Sequence, residues 1–522
     1  MPTIVVPFGG GLHTRAFAQD IDERECHAGQ NFKLDPQDRS FKSREPLDLV
    51  GTAPNAGQIN GFVSLLKSDG TVAMLVQAGD TVYDWDGAST FTSKGTVSSS
   101  ARLRGRIEQN WQLADKVIIT DIALADVVME YDGTTLSDCS FLSNPSTAWT
   151  GDFRARYCTV VDERAIFANI YDNGTAFPHL IVGSKRGDYL TLSVSDRPST
   201  SLADDDPFFL VQPNNRYING VAEAFGVVAF SSRKGATWKL SGSTAKDYVM
   251  EPLHPGSGAS GSEAFIFVGN DIAYGREGRI ESLVNTDKFG DVDSDDLSVD
   301  IFDQIQSYTG WTLCYNSRTQ RIYCFPDGES ECWVFHKSMV PTQLSPWSKW
   351  TTQNTFAYQP TAVMNCYDPA DGLEYVFAGD ASGNVYRLEG AGSGDNGVSV
   401  ISNRKSKLFK VEGLSEVTQV HGYIEYVSDQ AVTATIRLYY QGQSVLTQEV
   451  TESIPAAAVG AVYGGGHYYG GGSVYGTYRG SLKREQIFIP GTGNMFQVEV
   501  EVSGTNSFEI TEIGLEFQAS KA

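Results

Sequence analysis

The chain has 522 residues, 41% of them hydrophobic and 20% charged, and its 40 Lys+Arg against 63 Asp+Glu give a formal charge of −23. That length exceeds one ordinary compact domain unless the domain is a repeat architecture, and the composition excludes global disorder. So acidic a chain does not grip nucleic acid by neutralising phosphates, a term that needs Lys and Arg. The 53 Gly, 24 Tyr and 27 Phe lean towards an all-β fold, because Gly punctuates turns and aromatics favour strands.

From the N-terminus, Met1 to Gly11 carries no basic region ahead of its short apolar run, so no signal peptide is expected. No run of about 18 apolar residues occurs anywhere, so no membrane-spanning helix is expected. Residues 1–50 show little pattern and read as an extended arm.

A repeat organises residues 51–395. A short strand ending in an aromatic residue or Leu recurs, as in Thr81-Val-Tyr-Asp-Trp-Asp-Gly87, Val127-Val-Met-Glu-Tyr-Asp-Gly133 and Gly235-Ala-Thr-Trp-Lys-Leu240. Trp85, Tyr131, Leu192, Leu240, Leu283, Phe335 and Leu388 anchor it at intervals of 46, 61, 48, 43, 52 and 53 residues. A spacing of about 50 residues fits a four-stranded propeller blade. The expected fold is therefore a β-propeller of seven blades, with six as the alternative, and each anchor on a third or outer strand. The apolar runs just upstream, among them Val117 to Thr120, Ala165 to Ala168 and Arg321 to Phe325, read as inner strands buried on both faces.

Glu389-Gly-Ala-Gly-Ser-Gly-Asp-Asn-Gly397 reads as a linker. Over 396–522, alternating strands such as Met495 to Val502 predict a β-sandwich. Residues 460–480 hold nine Gly and five Tyr, namely Tyr463, Tyr468, Tyr469, Tyr475 and Tyr478. One reading is an insertion between strands; the other is a loop that orders against a neighbouring subunit, which makes the five tyrosines interface candidates.

Motifs for chemistry do not rise above background. Asp291-Val-Asp-Ser-Asp-Asp296 begins like a calcium loop, but its sixth and twelfth positions are Asp296 and Phe302 instead of Gly and Glu, so it reads as a solvated acidic loop. The seven His lack metal-ligand spacing, and Gly256-Ser-Gly-Ala-Ser-Gly261 is not a nucleophile elbow. The seven Cys contain no C-x-x-C pair and read as buried thiols, with Cys314 and Cys324 facing each other across a hairpin. No catalytic residue, no metal site and no cofactor is expected, and the chain reads as a non-enzyme.

Several segments resemble the tail nozzle (tail tubular) proteins of short-tailed bacteriophages. They are Gly51-Thr-Ala-Pro-Asn-Ala-Gly57, Val76-Gln-Ala-Gly-Asp-Thr-Val-Tyr-Asp-Trp-Asp-Gly87, Leu192-Ser-Val-Ser-Asp-Arg-Pro-Ser199, Pro255 to Gly261, Tyr274-Gly-Arg-Glu-Gly-Arg-Ile-Glu-Ser-Leu283, Asp371-Gly-Leu-Glu-Tyr-Val-Phe377 and Phe508-Glu-Ile-Thr-Glu-Ile-Gly-Leu515. The resemblance implies a structural virion protein, assembled in the host bacterial cytoplasm as a homohexameric ring around the DNA exit channel. It also implies adaptor and other tail proteins as partners, and genomic DNA that passes without specific binding. An acidic wall suits that passage, since it repels phosphate. The alternatives are a propeller enzyme acting on polysaccharide, which needs carboxylates with perturbed pKa converging in the central channel, and a receptor-binding tail protein.

Overall fold

The computed structural model describes residues 3–519 except 37–39, 109–114, 144–151, 194–196, 214–215, 225–226, 233–234, 255–257, 270, 287–290, 411–416, 429–431, 441–447, 455–482, 488–491, 494 and 506–507. Seven four-stranded antiparallel blades follow one another along the chain and form the propeller, the first two joined into one eight-stranded sheet. Their first strands are Ile59–Leu66, Leu103–Glu108, Arg154–Val161, Ile218–Ala224, Phe265–Val268, Trp311–Asn316 and Ala362–Tyr367. Neighbouring blades touch around a closed ring, with blade 7 returning to blade 1. Blade 7 takes Ala362–Tyr367, Glu374–Gly379 and Asn384–Arg387 from one end of the propeller sequence and Asp48–Thr52 from the other, paired Asn384 to Thr52 and Arg387 to Asp48. That closure spans more than 330 residues of sequence.

Six of the seven anchors sit on or directly after a third strand: Trp85, Tyr131, Leu240, Leu283, Phe335 and Leu388. Leu192 does not. It belongs to the short strand Thr191–Leu192, which pairs with Leu142–Ser143 outside blade 3. The third strand of that blade is Thr175–Gly183, and an insertion before the fourth strand Phe208–Val211 stretched the 61-residue interval. The upstream apolar runs are second strands, not inner ones. Val117–Asp121 and Arg321–Pro326 are buried at every position, because each has a strand on both sides and a blade against each face. Cys314 pairs with Tyr323, and Leu313 with Cys324, so the two thiols miss each other by one register step.

Blades 1 and 2 are joined more tightly than the others. Their first strands run parallel and hydrogen-bonded, Arg104 beside Phe62 through Glu108 beside Leu66. Gly61 permits this approach, since a Cβ there would run into the Leu103 carbonyl oxygen.

Residues 1–50 are not an extended arm, and 396–522 does not build its sheets alone. One sheet orders Phe32–Lys33, Phe41–Ser43, Phe508–Ala519, Val417–Ser428 and Lys483–Ile487, with Thr3–Val6 added to Phe508–Ala519. The other orders Cys26–Gln30, Val400–Ser406, Met495–Gly504, Val432–Tyr440 and Gln448–Ile454. The apolar faces of both sheets fall in one cluster that also holds Phe265, Trp311, Trp333 and Trp347 of blades 5 and 6. The tryptophans satisfy their N–H groups, as in Trp347 Nε1 to the Leu297 oxygen at 2.7 Å and Trp311 Nε1 to the Arg276 oxygen at 3.0 Å.

The Gly-rich stretch 389–397 is not a free linker either. Asp395 inside it pairs with Arg44, and neither side chain is exposed to solvent. All five guanidinium N–H groups find acceptors: Nε to Asn31 Oδ1 at 3.0 Å, Nη1 to the Glu45 oxygen and Asp395 Oδ1 at 2.8 Å each, Nη2 to the Thr351 oxygen at 2.9 Å and Asp395 Oδ2 at 2.5 Å. Asp395 Oδ1 also accepts the Leu47 N–H at 2.9 Å. Beside it, Arg321 of blade 6 reaches Glu45 at 2.7 Å and Glu389 at 3.0 Å. Burial would raise the Glu45 pKa, but Arg321 and Lys33 outweigh it and hold the carboxyl well below the usual range. Replacing Asp395 by Asn leaves the buried Arg44 charge uncompensated. The expected loss is about 3–5 kcal/mol of unfolding free energy in denaturant titration, and the double variant R44M/D395L is expected to lose less than D395N alone.

Candidate functional site

At one end of the ring, charges from several blades converge. The first strands of blades 1 and 2 run parallel, and those of blades 3 to 7 pack side by side in chain order and on to blade 1. Arg104 lies at the start of the first strand of blade 2, and Glu263 lies two residues before that of blade 5. These blades stand three apart in a ring of seven, so the pair bridges the channel axis. Arg104 Nε donates to Glu263 Oε1 at 2.8 Å, and Nη1 donates to the carbonyl oxygens of Asn60 and Leu103 at 3.0 and 2.8 Å. The Glu263 carbonyl oxygen accepts the Leu313 N–H of blade 6 at 2.9 Å, which fixes the loop that carries it.

Four more polar groups stand around this bridge. Arg102 precedes blade 2, Arg156 and Tyr157 open blade 3, and Asp327 follows the second strand of blade 6. Burial raises the Asp327 pKa, the Glu263 charge raises it further, and Arg102 opposes both. Burial likewise raises the Tyr157 hydroxyl pKa, with Arg156 and Glu263 both within electrostatic reach. Arg156 Nε and the Tyr157 hydroxyl are both buried, and the Arg156 guanidinium faces that hydroxyl, opposing the burial effect by its charge and by hydrogen bonding. Among the described residues, the exposed side chains of Arg102 and Asp327 make no hydrogen bond or close ion pair.

The sequence gives no local signal for this cluster, because Arg104 and Glu263 are 159 residues apart. The usable signal is positional: Arg104, Arg156 and Glu263 each stand within two residues of the start of a first strand. Taking second strands for inner ones hides it.

Other sequence candidates resolve differently. Tyr463, Tyr468, Tyr469, Tyr475 and Tyr478 lie outside the described residues. Asp291–Asp296 is not a loop but the fourth strand of blade 5, paired with Arg279–Thr286. Its last carboxylate takes Arg279 Nη1 at 2.8 Å. Asp204 to Asp206 form a turn whose carbonyl oxygens receive the buried Arg164 guanidinium, at 2.8 Å for Asp206. Among the described residues, no set of three His, Cys, Asp or Glu side chains is placed to hold a metal. A cavity of about 420 Å³ opens between Lys33, Glu45 and the Gly390 to Gly394 backbone, but Lys33 and Glu45 already pair at 3.2 Å.

A second electrostatic knot fastens the N-terminal segment to blades 5 and 6. Gly11 N–H donates to the Ser345 oxygen at 2.7 Å and Leu12 N–H to the Trp347 oxygen at 2.8 Å. His13 Nδ1 meets Glu25 Oε2 at 2.9 Å, and its Nε2 stands 3.8 Å from Asp300. Glu25 in turn accepts the Ser345 N–H at 2.7 Å. The hydrogen bond to Glu25 raises the His13 pKa above 6.5, with burial and Arg15 opposing and Asp300 assisting.

No protein-family model and no curated protein matches the chain. Solved structures align over about two thirds of it at low identity. YCF48 from Cyanidioschyzon merolae aligns at 10% identity over 66% of this chain and 98% of that one, TM-score 0.39. The WD40 domain of Toxoplasma gondii coronin aligns at 10% identity over 69% and 87%, TM-score 0.39. BBS1N, in complex with ARL6DN, aligns at 9% identity over 66% and 98%, TM-score 0.42. The propeller assignment rests on the strand pairing given above.

A raised folded-state pKa stabilises fully below the unfolded value and ceases to do so as pH rises through the folded value. His27 is shifted the other way, by burial first, so the native curve mixes two opposite effects. The difference between native protein and His13→Asn isolates the first. That difference in unfolding free energy is expected to be largest at about pH 6 and to shrink towards about pH 8.

Proposed function

We propose that the chain is a structural virion protein, a subunit of the tail nozzle ring through which a short-tailed bacteriophage ejects its DNA. The observation that carries this reading is where the resembling segments fall. Gly51 to Gly57 leads from the closing strand into blade 1, Val76 to Gly87 is the second hairpin of that blade, Tyr274 to Leu283 is a hairpin of blade 5, and Phe508 to Leu515 is the strand shared with Thr3–Val6. All four are elements that close and brace the scaffold.

Two further features support it. The buried ion pairs bind distant parts of the chain to one another, Arg44 to Asp395 and Arg321 to Glu45 and Glu389, as suits a subunit that must keep its shape in a permanent assembly. The charge of −23 multiplies to −138 in six copies, which favours a passage that repels phosphate. Contacts between subunits then have to be apolar or hydrogen-bonded, because exposed ion pairs contribute about 0–1 kcal/mol each. The five tyrosines from Tyr463 to Tyr478 are the proposed contacts to neighbouring copies or to the adaptor and other tail proteins.

Imaging of assembled particles, together with native mass of the purified chain on its own and mixed with tail components, tests this. A closed ring of six and no measurable binding of duplex DNA at about 50–200 mM salt are expected. Changing all five tyrosines to Ser is expected to abolish ring incorporation while leaving the fold intact. A chain that stays monomeric in every mixture and cleaves a polysaccharide, or one that binds DNA tightly and with steep salt dependence, contradicts the proposal.

A further inference from the structure

A cavity of about 420 Å³ lies where distant parts of the chain meet: Lys33 and residues 43–46, the Gly390 to Gly394 stretch after blade 7, and Val400, Gly504 and Thr505 of the paired sheets. That is within the ~300–1,000 Å³ of small-molecule sites. Its wall departs from the charge of the chain. Among the described lining residues Lys33 and Arg44 stand against Glu45 alone, +2 against −1 in a chain of −23. Glu45 is already held, by Lys33 at 3.2 Å and by Arg321 Nη1 and Nη2 at 2.7 and 3.3 Å. What the wall leaves over is donors. The N–H groups of Gly390, Ala391 and Gly392 go to the Pro46 oxygen and to Asp48. Those of Ser393 and Gly394, the next two, meet no acceptor among the described residues, and neither do the hydroxyls of Ser43, Ser393 and Thr505. Lys33 uses one of its three N–H donors on Glu45. Gly394 is at φ +61, and a Cβ there would run into the Val398 carbonyl oxygen, so the loop passes the cavity as bare backbone.

We propose that this cavity binds a small phosphate monoester, its phosphate oxygens accepting hydrogen bonds from the Ser393 and Gly394 N–H groups, the Ser43 and Thr505 hydroxyls and the Lys33 ammonium. Successive backbone N–H groups beside a lysine suit phosphate, because they offer several donors and a positive potential at once. A polar cavity with such donors is filled by water or by a ligand that replaces it, and the excess positive charge favours an anion over water. The cavity is larger than a bare phosphate needs, so the ligand carries a short skeleton, with Pro46, Ala391 and Val400 as its apolar wall. Because the wall comes from both ends of the chain, only the closed fold offers it, and a bound ligand stabilises that closure by mass action. The site is complete within one chain and does not rest on the nozzle reading.

Calorimetric titration and thermal unfolding of the full chain test it, with sodium glycerophosphate, sodium phosphate and uncharged glycerol as the probes at constant ionic strength. Saturable binding of glycerophosphate with a dissociation constant in the millimolar range is expected, together with an unfolding temperature that climbs with its concentration. Glycerol at the same concentrations is expected to give no saturable heat. Lys33→Met is expected to weaken binding about tenfold. Ser43→Ala and Thr505→Val are expected to weaken it about threefold each, the loss of one hydrogen bond. Lys94→Met, on blade 1 and paired with Asp84, is expected to leave it unchanged. Binding of sodium phosphate alone, weakened by the same substitutions, would keep the cradle and assign it to the free ion. No saturable heat with either anion, or a dissociation constant unchanged in both K33M and T505V, overturns the proposal.

Discussion

Arg44 and Asp395 hold the two ends of the propeller sequence at one point. Arg44 lies four residues before the closing strand Asp48–Thr52, and Asp395 lies eight residues after the third strand of blade 7, to which that strand pairs. With the carboxylate taken by Arg44 and by the Leu47 N–H, the closing strand is delivered to blade 7 in one register. The same guanidinium lies 5.6 Å from the Trp350 ring and 5.5 Å from the Tyr358 ring, so blade 6 is drawn into the knot. A buried ion pair is a weak source of net stability, because desolvation offsets most of its attraction. Its effect here is selection: any other closure leaves a charge buried and alone.

From that point both chain ends run outward into the same two sheets. Short strands from residues 3–43 pair with strands drawn from 400–519, and their shared core continues into the tryptophans of blades 5 and 6. The propeller and the paired sheets are therefore not two modules on a linker. This explains why a stretch with four Gly between 390 and 397 is ordered: Gly390 N–H donates to the Pro46 oxygen, and Ala391 and Gly392 donate to Asp48. Gly serves close approach there rather than flexibility.

How much of this was legible follows from the range over which each signal acts. Blade number and every third-strand anchor except that of blade 3, where Leu192 lies on a strand outside the blade, were legible, since a blade repeats its own local pattern. The burial of second strands was legible as apolar runs, but it imitates the pattern expected of inner strands, and the two were exchanged. Pairings of two to five residues carry too little periodicity to be read, whether the partner is close, as for Phe32–Lys33 with Phe41–Ser43, or hundreds of residues away, as for Thr3–Val6 with Phe508–Ala519. Asp395 was hidden by its Gly neighbours. The charge cluster of the channel mouth needs ring closure to exist at all, so no spacing rule reaches it. Asp291–Asp296 misled because acidic composition suggests a loop, whereas strand pairing with Arg279–Thr286 prevails over propensity.

The central claim is that the propeller and the two sheets built from both termini form one cooperative unit. Scanning calorimetry of the whole chain, monitored in parallel by tryptophan fluorescence, tests it most directly, because five of the fully buried large side chains are Trp85, Trp311, Trp333, Trp347 and Trp350. A single transition seen at the same temperature by both probes is the expected result. Two separate transitions, one for the propeller and one for the paired sheets, would contradict it.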